Sequence, residues 1–530
     1  MYIFGAIGNL RASRMAYLGF ALLTLAAALR PSSATAETPS PTISRPPVGT
    51  HGFPFSSTAI ELSKLGYTEE EYFISGQARS YLPNESLGAD GVWTASPSPG
   101  GTAPYTTRIL IRRPINPRGF NGSVYVEWMN VTGGADGTPD WDQGHEELLR
   151  DGYVWVGVSA QFVGDAFLQI WETGPSARYA KIFHPGDSFS YDIYSQAAVA
   201  LRKPAAHEPA PLGNLTDRVK NLIAVGNSQS AFFLFTYYNA IQQTAKVYDG
   251  VLIHSAGSGS PLSQSVATNF NPAIPTPPGV PATPNVPVPA VAHIRTDLKQ
   301  PVLFLNTETD QSILGAGASV HLQPDSKRFR MWEMAGTSHA DQYLLNFTGA
   351  DAAKSDFPFA LDCGIPPINQ GPATYGERAA IRWLDVWVRF GIAPPSAPRL
   401  SVTVPAPPGL ASVNRDPKTG LAVGGIRYPQ IAVPISTETG DRPLGALAAN
   451  PFCALFGAHD PWDDDSDAWD GVPGFDPSPT LEPKLSVLYP SHQFYVRQVE
   501  KAAIESIFAG FLLPEDAGEI VKQAQASAVP

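Results

Sequence analysis

Three side chains able to do acyl-transfer chemistry stand at the ends of apolar runs, in the order serine, carboxylate, histidine. The first is Ser228, in Gly226-Asn227-Ser228-Gln229-Ser230, between the apolar run Leu222 to Val225 and the helical pattern of Phe232, Phe233, Phe235 and Tyr238. This reads as a buried strand, a sharp turn and a helix. Small residues on either side let strand and helix approach closely, so that the serine hydroxyl stands exposed above a sheet. Its following amide, that of Gln229, is then aimed at a substrate oxygen. Gly226 is one such residue, and Ser230 stands where the motif has its last glycine. The second run, Pro301 to Asp310 (PVLFLNTETD), is a strand pattern ending in the carboxylates Glu308 and Asp310. The third, Phe329 to Asp341 (FRMWEMAGTSHAD), is a strand entering a glycine-containing turn that ends on His339. A serine hydroxyl needs a base, and the base needs an orienting acid. Each residue alone fits a turn, a solvated loop or a surface histidine, but their joint order at strand ends points to a nucleophile, an acid and a base.

These residues require a sheet to hold them. Glu71 to Tyr81 and Thr106 to Arg112 read as early strands, and Gly122 to Asn130 (GSVYVEWMN) as a central one. The glycine-rich loop VTGGADG follows, then a helical pattern from Trp141 to Arg150 and a buried strand from Tyr153 to Ser159. In an open α/β sheet the ligand binds beyond the carboxyl ends of the strands. The backbone amides of Asn130 and Val131 therefore fall where a second oxyanion donor belongs. Tyr191 to Leu201 reads as the helix before the Ser228 strand, and Val247 to His254 as the strand after its helix. The expected fold class is α/β, a mostly parallel central sheet with helices on both faces. Between His254 and Pro301 lies a Ser- and Pro-rich insertion, with prolines gathered in Pro272 to Pro289. Because the strand pattern resumes at Pro301, residues 257 to 297 are expected to form a lid over the serine rather than a domain linker.

The chain has 530 residues and a formal net charge of −12. One large domain over residues 37 to 530 is expected. The charge and the lack of Lys/Arg clusters argue against nucleic acid or an anionic membrane as the main partner. Arg11 and Arg14 precede the apolar stretch Met15 to Leu29, and Ala34-Thr35-Ala36 supplies small residues for a signal peptidase. Residues 1 to 36 are expected to be a cleaved signal peptide, the mature chain being secreted or periplasmic. The apolar stretch is shorter than the roughly 20 residues that span a bilayer, so no stable anchor is expected after cleavage. An exported chain with only Cys363 and Cys453 fits one disulfide, which would tie the C-terminal region to the segment just after His339.

GNSQSA around Ser228, LNTETD at Asp310, RMWEMAGTSHAD around His339, AIRWLDVWVRFGIAPP, VGGIRYPQIAVP and LYPSHQFYV together resemble a large family, the alpha/beta hydrolase domain proteins. Many of its members are exported and most have no assigned substrate. The resemblance covers nearly all of the mature chain. It implies an α/β-hydrolase fold with a family-specific C-terminal extension over about residues 395 to 530, and hydrolysis of a small-molecule carboxylic ester. Ser228 matches the family's nucleophile and His339 its base; SQSA stands where many members have SQSG. Asp310 matches the usual aspartate by position, while Glu308 lies at the same strand end. A lactonase, amidase or acyltransferase would use the same triad, and a non-catalytic binding protein is a different use of the scaffold.

The acidic run Asp460 to Asp470 lacks the sixth-position glycine of an EF-hand loop and reads as a solvated loop. Asn84, Asn121, Asn130, Asn214 and Asn346 begin N-x-Ser/Thr triplets. His254 and His492 read as structural histidines, and Trp383 and Trp387 as core. There is no paired Cys/His metal pattern and no glycine-rich phosphate loop, so neither a metal nor a cofactor is expected.

Overall fold

A computed structural model describes residues 37–174, 176–264, 283–357, 361–364, 367–404, 411–442, 450–462 and 484–530. The expected signal peptide, the middle of the expected lid (265–282) and most of the acidic run (463–470) lie outside the described residues. Nine strands form one sheet: β1 Thr42–Ser44, β2 Tyr67–Pro83, β3 Ala95–Pro114, β4 Ser123–Trp128, β5 Val154–Val158, β6 Asn221–Asn227, β7 Gly250–His254, β8 Val302–Asn306 and β9 Phe329–Glu333. Their spatial order is β1-β2-β3-β5-β4-β6-β7-β8-β9. The strands from β5 to β9 in that order pair in parallel, while β1, β2 and β3 pair antiparallel and form the other edge. The fold is that of an α/β-hydrolase.

The parallel strands are buried on both faces, which is why they read as unbroken apolar runs. Their alternate residues separate cleanly. Val124, Val126, Ala224, Val251, Ile253 and Phe304 face one core, covered by the helices α3 Ser190–Arg202 and α4 Gln229–Thr236. Tyr125, Ile223, Val225, Leu252 and Leu303 face a second core, covered by α1 Pro139–Arg150, the helix Ala373–Phe390 and the C-terminal helices. Burying each such side chain contributes about 1.5–3 kcal/mol, the principal force holding the layers. A further helix, α2 Phe162–Trp171, packs with Phe55 and Tyr179 in a smaller cluster beside the sheet.

The β2–β3 hairpin runs well beyond the expected strands, from Tyr67 to Pro114, because the two strands go on pairing with each other past the stretches that also pair with β1 and β5. At the sheet's centre the chain leaves β4 toward β5 and later returns to β6 on β4's other side. That reversal opens a crevice at the carboxyl ends of β4 and β6, where side chains can converge without displacing the helices.

Candidate active site

β6 ends at Asn227, and Ser228 takes φ 58° and ψ −124° before α4 begins at Gln229. Such a conformation in a non-glycine residue costs about 1–3 kcal/mol and persists only where the surroundings over-determine it. Here they do. The Ser228 amide donates to His254 O at 2.9 Å, and Ser228 O accepts from the Phe232 amide at 3.1 Å. The buried Ser230 hydroxyl donates to Asn227 O at 2.8 Å, so the side chain at the motif's last glycine position ties the turn together. Gly226 has the opposite constraint: a Cβ there would sit 3.2 Å from the Ser230 carbonyl carbon and oxygen.

Ser228 Oγ lies 2.8 Å from His339 Nε2, and His339 Nδ1 lies 2.7 Å from Asp310 Oδ1. Three segments separated by up to 111 residues thus meet in one line of hydrogen bonds. Asp310 sits in the helix Glu308–Ser312, where its other oxygen accepts from the Thr307 amide at 2.7 Å and the Thr307 hydroxyl at 2.8 Å. Burial alone would raise the Asp310 pKa, but the bonds from His339 and Thr307 outweigh it and hold the carboxyl below its usual value.

Glu308 faces away from His339. It pairs with Arg415 at 2.9 Å and accepts the amides of Gly336 at 2.5 Å and Gly440 at 3.0 Å. Burial raises its pKa, with Arg415 and the two amides opposing. Gly336 turns the His339 loop with φ 73°, and a Cβ there would meet Ile431 at 2.1 Å. Thr309 adds a second tie, its hydroxyl accepting the His339 amide at 3.3 Å and donating to Gly440 O at 2.7 Å.

Across the crevice, the end of β4 runs beside the turn. Asn130 Nδ2 donates to Asn227 O at 2.9 Å, and its Oδ1 accepts the Thr132 amide at 2.8 Å. The Asn130 amide itself donates to Gly137 O at 3.0 Å, closing the glycine-rich loop at its neck. Of the two amides expected to face a substrate oxygen, Asn130's is therefore already engaged, which corrects that half of the expectation. Gln229 opens α4, so its amide lies in the helix's first turn. The loop is pinned from beneath by Asp136, whose carboxylate lies 2.9 Å from the buried guanidinium of Arg108 and also takes the Ser159 hydroxyl. Nothing in the spacing of Arg108 and Asp136 announces this pair. It joins β3 to a loop 28 residues away through the sheet's tertiary pairing.

A cavity of about 390 Å³ opens onto Ser228 and His339. One wall is the loop from Asn130 to Pro139. The opposite wall is the helix Gln342–Lys354, presenting Leu344, Leu345 and Ala352, continued by Phe357. Leu361, Phe452, Leu455 and Phe456 complete it, on two segments joined by the Cys363–Cys453 disulfide. The C-terminal extension is thus part of the site: it supplies Arg415 and Gly440 to the His339 loop and three apolar side chains to the cavity. The described flanks of the expected lid do not line this cavity. Residues 260 to 263 and 286 to 295 pack instead along α4 and against Trp93: the Ser260 amide bonds Phe232 O at 2.9 Å, and Arg295 bonds Trp93 O and Asn239 O, both at 2.7 Å.

His492 bonds the carbonyls of Val529 and Gln525, at 2.8 and 3.3 Å, which is a structural role. His254 is buried behind the Ser228 turn beside Asp140 and Glu377. Trp387 is core, and Trp383 donates to Gly510 O at 2.6 Å.

A family model described as "Alpha/beta hydrolase domain" matches residues 39–522. No curated protein matches. Among solved structures, the chain is similar to methylesterase BT1017 (13% identity over 67% of this chain and 58% of that one, TM-score 0.27). It is also similar to a thermostable esterase from Pseudomonas putida ECU1011 (13% identity, 57% and 83% covered, TM-score 0.23) and to a glucuronoyl esterase from Solibacter usitatus (10% identity, 43% and 55% covered, TM-score 0.22). The chain spans just under three fifths of the length of the methylesterase.

Proposed function

Since the chain belongs to the alpha/beta hydrolase domain family, we propose that it is an exported serine hydrolase that cleaves carboxylic esters through an acyl-enzyme. The observation that carries this reading is the line Ser228 Oγ, His339 Nε2, Asp310 Oδ1, with separations of 2.8 and 2.7 Å. Asp310 accepts a hydrogen bond from Nδ1–H, which keeps the proton on Nδ1 and leaves Nε2 lone-paired and facing the hydroxyl. As Ser228 Oγ attacks the ester carbonyl, Nε2 takes its proton, and the carbonyl oxygen becomes an oxyanion facing the Gln229 and Val131 amides. The imidazolium then protonates the leaving alkoxide, the carbon–oxygen bond breaks, and the alcohol departs. Water follows the same route in reverse: Nε2 removes one proton, the oxygen attacks the acyl carbon, and the acid leaves as Ser228 recovers its proton.

The predominantly apolar side chains around the cavity support an ester carrying an apolar group on at least one side of the carbonyl. We read residues 37 to 530 as one hydrolase domain whose C-terminal stretch completes the pocket. Export is supported by the disulfide, since such bonds persist in oxidising compartments. No helix among the described residues is long and apolar enough to cross a membrane.

A panel of aryl esters of increasing acyl length tests the reading. Ser228→Ala is expected to lower turnover by a factor on the order of 10³ or more, with an unchanged circular dichroism spectrum. Retention of activity by that variant would place the chemistry elsewhere.

A further inference from the structure

Beneath the Ser228 turn, on the face of the sheet away from α4, three distant segments bring Asp140, His254 and Glu377 together. Asp140 lies in the first turn of α1, His254 ends β7, and Glu377 lies in the helix Ala373–Phe390. All three are buried, with at most 2% of their surface exposed. His254 Nδ1 is 3.1 Å from Asp140 Oδ1 and 3.5 Å from Glu377 Oε2. Ligands held about 2.0–2.2 Å from one tetrahedral ion stand about 3.3–3.6 Å from each other. The Glu377 separation falls in that range, and Asp140 would move out by a few tenths of an ångström to admit the ion.

The second observation is what these oxygens lack. No hydrogen-bond donor reaches either oxygen of Glu377 or Asp140 Oδ2. A dry carboxylate with neither oxygen satisfied is costly unless a positive charge stands beside it. Glu127 adds a third carboxylate next to this group, though its own oxygens are satisfied by the amides of Asp140 and Trp141 and the Trp155 indole at 2.8–3.1 Å. Without an ion, burial and the neighbouring carboxylates favour the protonated form of Glu377, which then shares its proton with Asp140. A divalent ion between the three side chains would take that proton's place.

We propose that Asp140, His254 and Glu377 form a binding site for a divalent transition-metal cation of the zinc class. One nitrogen with two carboxylate oxygens is a donor set suited to zinc rather than to calcium, which takes oxygen ligands. The ion would be structural. It ties α1 and the helix Ala373–Phe390 to the end of β7, the strand whose last carbonyl accepts the Ser228 amide. Because no pair of cysteines or histidines at short spacing is involved, sequence spacing gives no hint of the site.

The test is metal analysis of the full chain, purified without a histidine tag from zinc-supplemented medium. About one equivalent of metal per chain, removed by a chelator with a fall in Tm and restored with Tm by zinc(II), is expected. Glu377→Gln keeps the shape and should lose that equivalent while remaining folded. If Glu377→Gln does not fold, cobalt(II) added to the chelator-treated wild-type chain decides, since a bound ion develops visible d–d absorption. Less than one-tenth of an equivalent on isolation with no uptake on titration, full retention by a folded Glu377→Gln, or no cobalt absorption would each overturn the proposal. Esterase activity of the wild-type chain is read separately, so loss of this site leaves the reading of Ser228 standing.

Discussion

Glu308 and Asp310 leave the same strand end two residues apart, and only Asp310 reaches His339, at 2.7 Å, while Glu308 holds the His339 loop through the Gly336 amide and Arg415. The two carboxylates should therefore fail differently. Asp310→Asn is expected to lower kcat by a factor on the order of 10³–10⁴ through the wrong imidazole tautomer, with little change in Tm. Glu308→Gln leaves the part-buried Arg415 with Asp441 as its remaining carboxylate partner and should cost on the order of 2 kcal/mol of stability, read as a lower Tm. At a temperature where it is folded, its kcat should stay within about tenfold of wild type. The opposite pattern would exchange their roles.

Gly226 is expected to tolerate no side chain. Its Cβ would press on the Ser230 backbone at 3.2 Å, where nothing flexible can yield. Gly226→Ala should lower both Tm and kcat. Ser230→Ala removes one buried hydrogen bond to Asn227 O and should cost about 1 kcal/mol, with kcat reduced only several-fold. Equal kinetics for Gly226→Ala and wild type would show that the turn is less constrained than its contacts indicate.

The disulfide closes a loop of about 90 residues, and in the chain-entropy account such a cross-link restricts the unfolded chain by about 4–5 kcal/mol. Replacing both cysteines with serine should lower Tm markedly. Because Phe452, Leu455 and Phe456 ride on one of the joined segments, KM for long-chain esters should rise more than KM for acetyl esters. A parallel rise for both would detach the disulfide from the pocket wall.

Asp341 caps the helix Gln342–Lys354 by accepting the Leu344 amide at 2.9 Å, and burial pushes its carboxyl up to about 7. A folded-state pKa raised above the unfolded value stabilises the protein at low pH and loses that contribution as pH rises through the folded pKa. Here the window runs from the usual carboxylate value, 3.8, to about 7. Asn at this position keeps the cap and removes the charge. The Tm of Asp341→Asn relative to wild type should therefore increase between about pH 5 and pH 8. A difference that stays flat with pH would mean that Asp341 does not titrate in that range.

The parts of this site carried by residue type and periodicity were legible in the chain. Ser228, His339 and the acid strand announce themselves because a buried parallel strand is an unbroken apolar run and the functional side chain follows its end. What stayed hidden depends on contacts between remote segments or on backbone atoms. That the Asn130 amide is already engaged emerges only once Gly137 folds back onto it, and any residue has an amide. Glu308 and Asp310 separate only once the helix Glu308–Ser312 turns one of them toward Arg415. Among the described residues, the cavity's apolar side chains come largely from the helix Gln342–Lys354 and the disulfide-linked segments, whose packing no local pattern encodes.

The most direct measurement is covalent capture of the nucleophile. A fluorophosphonate probe should add one label per chain, mapped by peptide mass spectrometry to the Ser228 peptide and lost in Ser228→Ala and in heat-denatured protein. A folded wild-type chain that takes no label, or one labelled elsewhere to the same extent in Ser228→Ala, would contradict the account.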